Sequence, residues 1–167
     1  MLEFIAARGS ASFLQTPAWA RVKSEWRGER VGFYDGDELT GVGLILYRKL
    51  PKLPRYLAYL PEGPVLDWSR DDIAEHFDAL VTYVKKRQAF AVRIGPAVVH
   101  RIWGTKTIKT AIADDNITSL TEVEPDVVTP EGEHVVSVLK QGGWITDETG
   151  QGFAAGQPQF NFQLSLR

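Results

Sequence analysis

The 167-residue chain contains no cysteine, which excludes disulfides, thiolate metal ligands and a cysteine nucleophile and fits a reducing compartment. Its three histidines, His76, His100 and His134, lie far apart. None stands at a ligand spacing from another or from a carboxylate pair, so neither a metal centre nor a catalytic triad is expected. Charge of one sign is also lacking: 19 Lys+Arg face 21 Asp+Glu, for a formal net charge of −2. Any contact with nucleic acid therefore needs a local basic patch. No apolar run approaches the roughly 18 residues that span a bilayer. The start, MLEFIAARGS, has neither the basic n-region nor the apolar core of a secretory leader. A cytoplasmic, soluble protein is the expectation. The glycines of GQGFAAGQP, Gly150, Gly152 and Gly156, lack the Gly-Lys-Ser/Thr ending of a phosphate loop and read as a flexible turn.

What is present is ordinary globular composition, 44% hydrophobic and 24% charged, in a length that suits one domain. RVGFYDGDELTGVGLILYRKL reads as a hairpin around the DGDELTG break, with strands over residues 30–34 and 41–48. A third strand is predicted over residues 56–60, stopped by Pro61, Gly63 and Pro64. DDIAEHFDALVTYVKKRQ is the clearest helix: Ile73, Phe77, Leu80, Val81 and Val84 recur at helical spacing, with acids leading and bases finishing. His76 lies on its polar face and reads as solvated. AFAVRIGP reads as a buried strand. Residues 104–132 look like a loose connection, residues 134–141 like a short helix ending at Gly142 and Gly143, and QPQFNFQLSLR like a final alternating strand. Helix, three strands, helix, strand, helix, strand is the order of an α/β (α+β) domain around a mostly antiparallel mixed sheet flanked by helices.

FLQTPAWARVKSEW reads as an amphipathic helix with Thr16 as N-cap, Pro17 in the first helical position and Gly28 as the stop. Trp19, Val22 and Trp26 share one stripe, and Lys23 lies at its edge. Such a lysine either lays its stem on apolar surface with its ammonium in water, or reaches into a cleft as an anion clamp. RKLPKLPR places Arg48, Lys49, Lys52 and Arg55 between two strands with no acid among them. That is either a solvated hairpin tip or a contact for phosphate on RNA, nucleotide or anionic lipid. LPEGPVLDW follows a strand directly, where rigid backbone lines clefts; its Asp67 is either the cap of the next helix or a cleft carboxylate.

Taken in order along nearly the whole chain, FLQTPAWARVKSEW, the two-strand unit, YLAYLPEGPVLDW, the helix, AFAVRIGP and GFAAGQPQFNFQLSL resemble the first domain of the FemABX family. These are aminoacyltransferases that build the interpeptide bridge of peptidoglycan. The resemblance implies an acetyltransferase-type (GNAT-like) fold over residues 1–167, as the first half of a two-domain enzyme. It implies transfer of an amino acid from aminoacyl-tRNA to the stem peptide of a lipid-linked or UDP-linked muramyl precursor, with no cofactor and with peripheral membrane contact. It places Lys23 of the Trp19-x-x-x-Lys23 helix on the precursor's phosphates, with Gly63, Pro64 and Asp67 along the same cleft. No catalytic residue is assigned. Because such enzymes carry two domains, this chain is expected to be one half, and inactive alone.

Two rivals accompany that implication. A noncatalytic half that only binds the precursor is one. The other is a coenzyme A-dependent N-acetyltransferase, whose pyrophosphate loop is approached by RIWGTK, residues 101–106; that segment ends in lysine and shows no clear helix opening after a strand.

Overall fold

A computed structural model describes residues 1–8, 11–146, 160, 161 and 163. They form two compact units, one built from residues 1–67 and 75–97 with the described residues beyond 144, the other from residues 68–74 and 98–144.

The first unit carries a five-stranded mixed sheet. Two short helices, α1 (Leu2–Ala6) and α2 (Pro17–Val22), precede β1 (Arg27–Asp35) and β2 (Glu38–Lys49). A two-residue turn joins these strands, since Asp35 pairs with Glu38. Gly36 in that turn has φ +57°, a conformation glycine adopts without steric cost. β3 (Tyr56–Leu60) pairs antiparallel with β2, and β4 (Val65–Leu66) pairs with the start of β2. After α3 (Ile73–Lys85), β5 (Ala89–Ile94) returns parallel to β3, giving the order β1-β2-β3-β5. One parallel pair among antiparallel ones is the mostly antiparallel mixed sheet that the element order implied.

Residues 40–47 of β2 are all buried, so this strand is covered on both faces. That explains why LILY runs apolar without alternation. Glu29 and Tyr47 lie on the face that α3 covers, because Tyr83 of α3 and Arg87, two residues past its end, reach Glu29. The opposite face takes α2: a Cβ on Gly28 would stand 2.9 Å from the Ala20 Cβ.

This contact corrects the predicted first helix. Pro17 holds the first helical position, but the helix ends at Val22, Lys23 is its C-cap, and Gly28 is a strand residue whose missing side chain admits α2. Thr16 stands at the N-cap without capping by its side chain; its hydroxyl donates instead to the Phe13 carbonyl, at 2.7 Å. With the helix cut short, Val22 leaves the apolar stripe and is 63% exposed.

His76 is buried rather than solvated, its Nε2 2.7 Å from the Thr40 hydroxyl and its ring against Phe33. The cause is a bulge. Phe33 pairs with Gly41 and Tyr34 with Leu39, which leaves Thr40 as the extra residue, able to meet His76. In β5 only Ala89 is buried and Phe90 is 55% exposed; among the described residues β5 pairs with β3 alone.

The second unit replaces the predicted loose connection. It holds a small ribbon, β6 (Arg101–Ile102) paired antiparallel with β7 (Val127–Val128), and two helices, α4 (Thr105–Ile112) and α5 (Pro130–Gln141). α5 starts earlier than predicted because Thr129 caps it, accepting from the Gly132 N–H at 3.1 Å, with Pro130 in the first turn. It ends at Gly142 and Gly143 as the sequence indicated. The predicted GQGFAAGQP turn and the final alternating strand lie outside the described residues, apart from Phe160, Asn161 and Gln163.

Candidate functional site

The site is built on the α2 face of the sheet. Arg48 of β2 and Tyr59 of β3 share that face with Leu46, by alternation and register. Arg93 of β5 pairs with Tyr59. Trp26, just before β1, packs on Tyr59 with ring centroids 6.3 Å apart. Arg48 lies over the Trp26 ring at 5.7 Å and Arg93 over the Tyr59 ring at 5.9 Å. Lys23 joins from the end of α2: its Nζ is 5.5 Å from the Trp19 ring, and its carbonyl accepts from the Trp26 N–H at 2.9 Å. The half-buried Lys23 therefore rests its cation on one tryptophan while its backbone fixes the other. Neither Lys23 nor Arg48 has an ion-pair partner among the described residues. Two uncompensated cations, with Arg93 beside them, make this strip chemically suited to an anion.

The PEGP segment is fixed by a residue the sequence reading passed over. Gln15 is fully buried, donates from Nε2 to the Pro61 carbonyl at 2.6 Å, and accepts from the Leu44 N–H at 2.8 Å. Gly63 leaves room for this carboxamide, since a Cβ there would overlap Gln15 Cδ. Its carbonyl in turn accepts from the Gly95 N–H at 3.1 Å. Gly63 and Pro64 thus lie at the carboxyl ends of the parallel pair β3 and β5, a short way along the chain from Tyr59 and Arg93. A glutamine directly after the apolar pair Phe13 and Leu14 is the one signal in the sequence that points to Gln15.

The predicted residues are not all brought together. Asp67 is exposed and follows β4, which pairs with β2 at Gly41 and Val42, whereas Lys49 pairs with Tyr56 at the other end of β2. At about 3.4 Å per residue that places the PEGP end and the basic loop roughly 24 Å apart along β2. Asp67 is not the helix cap: α3 begins at Ile73, so the residue before it is Asp72, which accepts two hydrogen bonds from Arg70. Lys49, the last residue of β2, and Lys52 and Arg55 of the loop to β3 are exposed, and the loop is closed by the Leu50 N–H donating to the Arg55 carbonyl at 2.9 Å. Of the four loop cations, only Arg48 reaches the aromatic strip.

On the α3 face, a second charged cluster is internally satisfied. The Glu29 carboxylate accepts from Tyr47 (3.0 Å), Tyr83 (2.9 Å) and Arg87 (2.7 Å), and Arg87 stacks on Tyr83. Partial burial pushes the Glu29 carboxyl up, but these three donors outweigh it and hold the group below the ordinary carboxylate value. Burial and the adjoining Glu29 charge push the Tyr47 and Tyr83 phenols up. With its acceptors paired, this cluster is a clasp between β1 and α3.

In the second unit, RIWGTK does open a helix after a strand, contrary to the expectation. Its N-terminus is nevertheless occupied: Asp126 accepts from the Gly104 N–H and from the Thr107 hydroxyl, at 2.5 and 2.7 Å. These donors hold the Asp126 carboxyl below its usual value. The chain's own carboxylate stands where a pyrophosphate would dock. His100 pairs with Glu133 at 2.9 Å, while the Nε2 of His134 is shielded from solvent with no partner among the described residues.

The FemAB family model matches residues 2–167. The chain belongs to the FemAB family. It is 34% identical over 98 residues to a Lipid II:glycine glycyltransferase of Staphylococcus saprophyticus, and 31% identical over 98 residues to the protein of that name from Staphylococcus aureus. Each match covers 57% of this chain, and 24% and 23% of those relatives respectively. The crystal structure of FemX superposes with a TM-score of 0.54 at 25% identity, covering 83% of this chain and 28% of FemX. The matched part of this FemAB chain therefore covers about a quarter of the length of these relatives. No helix among its described residues is long and apolar enough to cross a membrane.

Proposed function

We propose that this chain forms the precursor-binding part of an aminoacyltransferase that extends the stem peptide of a peptidoglycan precursor. The observation that carries the reading is the strip of Lys23, Arg48 and Arg93 laid over Trp19, Trp26 and Tyr59, in a chain whose relatives are named as glycyltransferases acting on Lipid II. Lys23 and Arg48 supply charge for the precursor's phosphates, and Gly63 and Pro64, at the carboxyl ends of β3 and β5, offer rigid backbone to the rest of the precursor farther along the sheet. Trp19 serves Lys23 as a platform. Asp67, exposed beyond β4, borders the cleft farther along without an assigned proton.

The chemistry in this reading needs no bound cofactor and no covalent intermediate. Aminoacyl-tRNA is an activated ester. The acceptor amine attacks its carbonyl carbon, a C–N bond forms, the ester C–O bond breaks, and the ribose hydroxyl leaves with the proton the amine gives up. Orientation and charge stabilisation at the carbonyl are what the protein contributes. A GNAT-like ancestry and a cytoplasmic site of action belong to the same reading, as does a peripheral approach to the membrane through Lys49, Lys52 and Arg55. A noncatalytic binding half remains its rival. The coenzyme A rival is disfavoured by Asp126 at the α4 N-terminus.

The test uses Lys23→Met, which keeps an apolar stem against Trp19 and deletes the charge. Calorimetric affinity for a phosphorylated muramyl precursor should fall roughly ten- to a hundredfold, the worth of about 1.5 to 3 kcal/mol of charge-assisted bonding. Thermal denaturation should be unchanged, and a dephosphorylated muramyl peptide should not sense the substitution. Unaltered affinity for the phosphorylated ligand would leave Lys23 as a lysine that merely covers apolar surface.

A further inference from the structure

The second unit contains a cleft of about 230 Å³ between the β6–β7 ribbon and the segment that leads into β7. It is smaller than the roughly 300–1,000 Å³ of sites for drug-sized ligands, so it selects a small occupant. Both walls are pinned. On one side Arg101 pairs with Val128 across the ribbon. On the other, the Trp103 indole N–H donates to the Val123 carbonyl at 3.0 Å, and Glu122 accepts from the Thr118 N–H and hydroxyl at 3.1 and 3.0 Å. Those bonds commit the Glu122 carboxylate to the wall.

Arg101 and Glu124, which also line the cleft, have side chains with no hydrogen bond among the described residues, and the nearby Glu133 carboxylate senses the Arg101 charge without pairing with it. Neither has an ion-pair partner among the described residues, and they do not pair with each other. Opposite charges that share a small cavity without closing on one another complement a ligand that carries both signs. Val123, Pro125 and Val128 supply apolar surface beside them. The geometry points to a binding site for a free α-amino acid of small side chain, its carboxylate toward the Arg101 guanidinium and its ammonium toward the Glu124 carboxylate. A guanidinium matches a carboxylate bidentately, and this gives the orientation. The inference does not rest on the aminoacyl-transfer reading, because it concerns residues of the second unit alone.

The experiment is a titration of the isotopically labelled 167-residue chain with L-alanine, followed by amide NMR shifts. Acetate, methylammonium chloride and sodium chloride at equal ionic strength serve as single-charge controls. Saturable shifts confined to residues 101 and 121–128, larger than those from any control, are expected. Arg101→Gln and Glu124→Gln, both at exposed positions, should each weaken alanine binding about tenfold with the spectrum otherwise intact. A response no different from sodium chloride overturns the proposal, as does full affinity in both variants. Loss in Arg101→Gln alone, with acetate binding as well as alanine, would make the cleft a plain anion site and overturn the assignment too. None of these outcomes alters the precursor affinity read through Lys23, so the two proposals fail separately.

Discussion

Gln15 and Gly63 compete for the same space: the carboxamide of one fills the volume that a side chain on the other would occupy. Because Gln15 uses that carboxamide on both the Pro61 carbonyl and the Leu44 N–H, the pair couples the segment before α2 to the central strand and the PEGP turn. Gly63→Ala should therefore displace Gln15 and strand two buried backbone groups, at a cost of about 2–4 kcal/mol. Urea denaturation measures it. In a Gln15→Ala background the same substitution should cost at least about 1 kcal/mol less. Simple additivity would show that the two residues do not share the site.

The Glu29 clasp predicts acid sensitivity. Its carboxyl is held below the ordinary value of 4.5, so its contribution is present above that pH and is lost as pH falls through the lower, folded value. Glu29→Gln should lower stability at pH 7 by about 1 kcal/mol, given partial exposure of both Glu29 and Arg87. The gap from the parent protein should shrink as pH falls below 4.5, read by thermal melts at each pH. A gap independent of pH would assign the loss to packing instead.

Replacing both Lys49 and Lys52 by glutamine should leave the melting temperature within error, since both side chains are exposed, one at the end of β2 and one on the loop after it. If the loop attracts phosphate at long range, binding to anionic vesicles or RNA should weaken and its dependence on salt should flatten. An unchanged slope of binding against salt makes the loop a solvated tip.

Thr40→Val tests the buried histidine. It removes the 2.7 Å hydrogen bond to His76 together with the 3.2 Å bond that the Thr40 hydroxyl donates to the Phe33 carbonyl, with little change in side-chain size, and should cost about 1–2 kcal/mol in urea denaturation. No loss would mean that His76 exchanges its partner for water.

Local pattern made part of this protein legible. The 3.6-residue repeat from Ile73 to Val84 and the proline and glycine stops after Leu60 act through neighbours in sequence and match the structure. The hairpin is also where the pattern puts it, but its turn is only residues 36–37, with residues 38–41 of the expected break belonging to β2. The family's serial pattern, from FLQTPAW to RIGP, also lay in the sequence. Alternation and run length indicated the sheet, but not how far each strand would be covered. β5 looked as buried as β2 because Ala, Val and Ile suit either place, and only pairing decides how much of a strand is covered.

Tertiary structure decided where the helix of residues 17–22 ends, because Gly28 serves the approach of Ala20 and not a helix stop. It buried His76 through a one-residue bulge at Thr40, which no helical wheel registers. It chose Arg48 from four equivalent-looking loop cations and joined it to Trp26, Tyr59 and Arg93, residues separated along the chain but adjacent across the sheet. Sequence by itself determined the residue types, the local turns and the family. The site depended on hydrogen-bond register between distant strands, a long-range property that sets which side chains share a face and is carried by no single segment.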